Sequence, residues 1–177
     1  MSNQNYIIDM LELKDSNIFF KDNFYFNEKI KGITHKIFEG YLSYQPCFCP
    51  KCGVVFDEHF EKHGFITSNI VIPDVIGFKT ILRLHKQRYL CKHCNKAFTL
   101  TSNITDYGCF ISNITKHKIA LDLTKKRSEK DIALDNRVSS NTVERVMDSF
   151  YETQKLYKYY LPEVLSFDEF KSGKLLE

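Results

Sequence analysis

Cys49-Pro50-Lys51-Cys52 and Cys91-Lys92-His93-Cys94 decide how this chain of 177 residues reads. Each pair leaves two residues between its thiols, the spacing at which a tight knuckle aims both sulfurs at one ion. Zinc prefers a tetrahedral shell of thiolates or imidazoles, and two such knuckles supply four ligands without strain. The turn chemistry agrees. Pro50 stiffens the first knuckle, Gly53 follows its second cysteine, and Asn95, which tolerates left-handed backbone, follows Cys94. The pattern predicts a structural Zn2+ site on Cys49, Cys52, Cys91 and Cys94. Cys47 is the alternative to Cys49, at a poorer spacing to the next cysteine. His93 is expected to face a phosphate or solvent rather than the metal. Cys109 has no partner at ligand spacing and reads as a small packed residue.

Disulfides fit less well, because no secretory signal opens the chain and cytosolic thiols stay reduced. A thioredoxin-like dithiol would use one Cys-x-x-Cys near a βαβ pattern, not two matched knuckles. No apolar run approaches the length of a membrane span, so a cytoplasmic protein without a membrane partner is expected. Net charge is +3 with a pI near 8.4, too weakly basic to identify a partner by itself. Local charge says more. From Val75 to Thr105 there is no acidic residue, while Lys79, Arg83, Lys86, Arg88, Lys92 and Lys96 are present with His85 and His93. A solvated surface usually mixes signs, so this block predicts a phosphate-facing edge, with an ordinary lysine-rich surface as the bland alternative.

Residues 1–46 read as an aromatic-rich α/β lead-in that packs on a zinc-ribbon-like module over 47–108. Ile7, Met10 and Leu11 have the spacing of a short helix. Ile18-Phe19-Phe20 and Phe24-Tyr25-Phe26 suggest a hairpin around Lys21-Asp22-Asn23, and 33–44 reads as a strand entering the first knuckle. Between the knuckles, Ile70-Val71-Ile72 and Thr80 to Leu84 predict strands joined through Pro73-Asp74 and Gly77, the second continuing to Cys91. Two or three antiparallel strands with knuckles at their ends form a zinc ribbon.

Residues 109–160 read as helical. A first helix is expected over about 112–125, with Ile114, Ile119, Leu121 and Leu123 at helical spacings. Ser128 caps a second helix, with Asp131 three residues on. Asn136-Arg137-Val138 makes the turn, and Ser139 caps a third helix whose Val143, Val146 or Met147, and Phe150 mark a buried stripe. Helix, tight turn and capped helix with polar residues at its start predict a helix-turn-helix; a plain helical hairpin is the alternative. In such a motif the start of the last helix enters the major groove. That places Ser140, Asn141, Thr142 and Arg145 on DNA, Asn141 suited to adenine and Arg145 to guanine or phosphate. Lys125, Lys126 and Arg127 could touch the backbone, as could Arg83, Lys86, Arg88 and Lys92. Residues 161–177 hold a further expected strand over 164–167, ending in Asp168 and Glu169.

The order of these parts resembles the N-terminal portion of a bacterial insertion-sequence transposase of the ISL-three family. The matching residues are Cys49-Pro50-x-Cys52-Gly53, Arg88-Tyr89-x-Cys91-x-x-Cys94, 128–143 and Phe167-Asp168-Glu169-Phe170. The resemblance implies an α+β chain: a zinc-ribbon-like β domain, a helix-turn-helix domain, and the truncated first strand of an RNase H-like catalytic domain. It implies binding of double-stranded DNA at transposon ends, a bacterial, nucleoid-associated location, and a homodimer as one allowed assembly. By it, Asp168 matches the first carboxylate of a DDE site, whose Mg2+ or Mn2+ ions need two further carboxylates found only in a full-length enzyme. The rival readings are a stand-alone zinc-ribbon and helix-turn-helix transcription regulator, or a zinc-ribbon protein-interaction module.

Overall fold

Strand alternation over 18–42 and 60–91 builds one mixed five-stranded sheet, described together with four helices by a computed structural model covering residues 3–151. Helix α1 (Asn3–Met10) precedes β1 (Ile18–Ile30) and β2 (Ile33–Leu42). After the first knuckle come β3 (Phe60–Val75), β4 (Phe78–Cys91) and the short β5 (Lys96–Thr99). The strand order is β1-β2-β4-β3, and β5 pairs with β4. Both long hairpins close on two-residue turns with positive φ: Lys31-Gly32 at 50° and 80°, Ile76-Gly77 at 52° and 73°. That backbone matches the twist of the flanking strands. Ile76 adopts it against the preference of a β-branched residue.

Three expectations change here. Residues 18–26 are not a hairpin: β1 is one strand, with a register break between Phe20 and Tyr25 that sets residues 21–24 opposite Glu39. Asn23 takes φ 59° in that bulge, so its turn chemistry bends a strand instead of reversing it. Nor is the sheet a simple antiparallel ribbon. β2 and β4 run parallel, from His35 beside Lys79 to Leu42 beside Lys86. The lead-in therefore supplies strands to the same sheet rather than a layer against it. Parallel pairing has a consequence for the site, because β2 and β4 deliver both knuckles to the same end of the sheet. Finally, the part of the acid-free block on β4 is no edge, since β4 lies between β2 and β3, whereas β5 pairs with β4 alone.

The main core gathers on the face of the sheet that carries Phe38, Leu82 and Leu84. Ile18, Phe20, Phe38, Leu42, Ile70, Ile72, Leu82 and Leu84 meet Ile7 and Leu11, with Leu100 and Ile104 from the segment after β5. Each such side chain contributes about 1.5–3 kcal/mol on burial. Along β4 the buried positions are Thr80, Leu82 and Leu84, then Gln87, Tyr89 and Cys91, so the parity switches beside the β3 bulge between Lys62 and Phe65. Buried Gln87 is satisfied there, its amide nitrogen Nε2 donating to Gly64 O at 2.8 Å and Arg88 O at 2.9 Å.

Helices α2 (Asn113–Leu123), α3 (Glu129–Asn136) and α4 (Ser140–Tyr151) hold a second core of Ile119, Ile132, Ala133, Val143 and Val146. The caps of α3 and α4 are the serines expected from sequence, and Ser112 caps α2 in the same way. Ser112, Ser128 and Ser139 accept from the backbone N–H of Thr115, Asp131 and Thr142 at 3.2–3.3 Å. Arg137 ends α3 in the left-handed conformation, φ 56°. Phe150, expected on the buried stripe, is 52% exposed, and Leu121 is 58% exposed. The buried stripe of α4 consists of Val143 and Val146, flanked by half-buried Met147. The helices attach at the β3–β4 turn, where Arg137 Nε meets Asp74 Oδ2 at 2.9 Å and its Nη2 donates to Gly77 O at 3.2 Å. β4 runs from this turn to Cys91, so the Arg137 attachment and the knuckles lie roughly 40 Å apart at about 3.3 Å per strand residue.

Candidate metal centre

Four sulfurs converge where β2 and β4 run out. The Sγ atoms of Cys49, Cys52, Cys91 and Cys94 all lie within 4.8 Å of one another. Backbone bonds shape the first knuckle: Cys49 N donates to Val54 O and Gly53 N to Cys49 O, both at 2.8 Å. Gly53 has φ 78° and Asn95, after the second knuckle, φ 58°. These are the left-handed positions that the Gly and Asn at those places supply at least cost. Lys92 N donates to His59 O at 3.0 Å, tying the second knuckle to the start of β3.

Sulfur geometry fits a tetrahedral ion. Cys49 Sγ lies 3.8 Å from Cys94 Sγ, and Cys52 Sγ lies 3.8 Å from Cys91 Sγ. A tetrahedron with zinc–sulfur bonds of about 2.3 Å has edges of about 3.8 Å. A disulfide would bring sulfurs to about 2.05 Å, so these are free thiols. Ionisation tells the same story. Burial opposes a charged Cys49, but the N–H groups of Lys51 and Cys52 and the thiols of Cys52 and Cys94 lower it to about 7. For Cys52 the Val54 N–H favours the thiolate, while desolvation and the sulfurs of Cys49, Cys94 and Cys91 push it up to about 12. Four thiolates can share this space only around a cation. The four cysteines thus form a metal-binding cluster that fits a structural zinc site. Cys47 is exposed and outside the cluster, and Cys109 is half-buried. His93 is exposed.

Residues 45–94 match the zinc-finger of transposase IS204/IS1001/IS1096/IS1165. The matched stretch holds both knuckles and the hairpin between them, and it supports an N-terminal region of an ISL-three-type transposase. It ends before β5 and the three helices. No curated protein and no solved structure matches the chain.

The expected DNA-facing residues fall into separate groups. Arg83 Nη2 meets Glu28 Oε2 at 2.8 Å, with its guanidinium over the Phe26 ring. His85 Nε2 lies 2.7 Å from Glu39 Oε1 and its ring stacks on Tyr41. Lys92 Nζ meets Glu61 Oε1 at 2.5 Å. The carboxylates missing from the sequence block therefore come from β1, β2 and β3. Nothing local in the sequence could have shown this, because Glu28 and Arg83 meet only through two strand registers. Lys86 and Arg88 are half-buried and have no ion pair among the described residues. In the helices, Lys125 Nζ pairs with Asp122 Oδ1 at 2.8 Å and Arg127 Nη2 with Asp135 Oδ2 at 2.5 Å, while Lys126 is exposed. Ser140, Asn141 and Arg145 are exposed at the start of α4, and Thr142 is half-buried. Asp168 lies outside the described residues, as does the expected strand over 164–167.

Sequence reading also missed Asp122, a buried carboxylate that joins α2 to α3. Asn136 Nδ2 donates to its Oδ2 at 3.0 Å. The Lys125 ammonium, then the Asn136 amide, hold its carboxyl below the usual range despite burial. Its helical register, three residues from buried Ile119, was the available signal.

Proposed function

We propose that this chain binds double-stranded DNA as the N-terminal recognition portion of a DDE transposase, directed to the terminal inverted repeats of its element. The family match over the cysteine knuckles is the observation that carries the reading. In this account zinc in the four-cysteine site holds the lower end of the sheet, and α3, the Arg137 turn and α4 act as a helix-turn-helix. Polar Ser140, Asn141 and Arg145, exposed where α4 begins, have the position and chemistry for base edges in the major groove. Arg137 supports the arrangement from behind, since its contacts to Asp74 and Gly77 O connect the turn to the sheet.

Fluorescence anisotropy with the element's terminal repeat and a shuffled duplex tests this. Wild-type protein should prefer the repeat and lose affinity as salt rises. Asn141→Ala or Arg145→Ala should relax the preference by about 1–3 kcal/mol if either makes a bidentate base contact. Salt-independent or absent duplex binding would overturn the reading and leave the protein-interaction module in its place.

A further inference from the structure

Lys86 breaks the alternation of β4. It follows Leu82 and Leu84 on the core side, both 0% exposed, yet it ends in an ammonium. Arg83 and Lys92 have carboxylate partners across the strands, but no carboxylate among the described residues pairs with Lys86. Burial pushes its ammonium below the ordinary lysine range. The side chain borders a groove of about 920 Å³ between the β3–β4 hairpin and residues 97–110. Lys51, from the first knuckle, stands at the rim of the same groove, and Ser68, Thr99 and Thr101 add hydroxyl groups to its lining. Asp106 is the one carboxylate residue in the lining, and Lys116 Nζ already holds it.

A partly desolvated cation facing an open, hydroxyl-lined groove without a counter-charge is complementary to an anion. The second lysine at the rim extends that complementarity along the groove, as a chain of phosphates requires. We infer that this groove takes one phosphodiester strand of bound DNA, with Lys86 as the central phosphate contact and Lys51 as the outer one. The inference rests on the DNA-binding reading above and goes beyond it. It separates Lys86 from Lys92, two residues that the sequence treats alike. It also connects the metal to DNA, because Lys51 lies between two of the clustered cysteines and keeps its place only while the knuckle is closed.

The test measures duplex affinity of the full chain, metal-loaded, over a salt series. Lys86→Met keeps the apolar stem and removes the charge. It should weaken binding to repeat and shuffled duplex by the same factor and reduce the slope of log K against log salt by about 0.9, the share of one phosphate. Lys86→Arg should restore the slope, and Lys92→Met should leave it unchanged. Ser68→Asp, which places a carboxylate in the groove without touching Lys86, should weaken binding as well. If wild-type protein binds with a salt slope and both Lys86→Met and Ser68→Asp match it, the groove is overturned while DNA binding stands. If wild-type protein shows no duplex binding, both readings fall together.

Discussion

Extracting the metal should open one end of the sheet and leave the other closed. The knuckle residues, 49–52 and 91–94, are tied to the rest by a few backbone bonds, such as Lys92 N to His59 O, and to one another by the shared ion. Ordering a residue costs about 1–2 kcal/mol in backbone entropy, so these eight cost roughly 8–16 kcal/mol. Opposing this are four ring pairs just above the site: Phe56–Phe60, Phe56–Tyr89, Phe60–Phe98 and Tyr89–Phe98, with centroids 4.7–6.1 Å apart. At about 0.5–1.5 kcal/mol each beyond burial, they supply roughly 2–6 kcal/mol. A structural zinc site of this kind is worth about 10–16 kcal/mol, enough to reverse the balance. The middle of the sheet does not depend on it, because Ile37, Ile70, Leu82 and Leu84 are 0% exposed within the β2–β4–β3 ladder. The helices carry their own core. Hydrogen exchange read by mass spectrometry, with and without a strong chelator, follows each region separately. Amides near Tyr89, Cys91 and Phe98 should lose protection, while those near Leu82 and Ile119 keep theirs. Elemental analysis should find one zinc per chain. Uniform loss of protection, or none anywhere, would refute this division, and so would metal-free protein fully protected at Tyr89.

Two further perturbations probe the parts that hold the rest in place. Asp122→Ala removes an acceptor for Asn136 and Lys125, and should destabilise the helical unit by about 1.5–3 kcal/mol at neutral pH, measured by urea unfolding. Because the folded Asp122 carboxyl lies below the ordinary value of 3.8, its contribution is present above that value and fades as pH falls through the folded one; wild type and variant should converge in strong acid. A gap that stays constant down to pH 2 would count against the carboxylate. Gly40 is the second. A Cβ there would stand 3.2 Å from Phe20 Cε1, 3.4 Å from Ile18 Cγ2 and 3.5 Å from Leu82 Cδ1, all fully packed side chains. Gly40→Val should overpack this layer and cost about 1–3 kcal/mol in the same unfolding measurement, and an unchanged midpoint would refute it.

Features that depend on neighbours in the chain were legible without coordinates. The two Cys-x-x-Cys knuckles, the turn-forming Gly53 and Asn95, the serine caps of α3 and α4 and the Arg137 turn are set by residues within a few positions of one another, and the structure reproduces them. The hairpin expected at Lys21-Asp22-Asn23 failed for a related reason. The same polar triplet can reverse a chain or bulge a strand, and only pairing along β2 selects between them.

What the sequence by itself determined is therefore the local chemistry: which cysteines could share an ion, where helices start and stop, and which residues stand exposed at the start of α4. Tertiary structure decided the rest. The parallel pairing of β2 with β4 brings two knuckles 38 residues of sequence apart to one end of the sheet, and it places β4 inside rather than at the rim. That position turns a one-sided run of cations into a set of cross-strand pairs, with Glu28, Glu39 and Glu61 facing Arg83, His85 and Lys92. It leaves Lys86 beside an open groove with no ion pair among the described residues. Coulomb interactions act through space, so the sign of a surface follows from strand register and not from the order of residues along one strand.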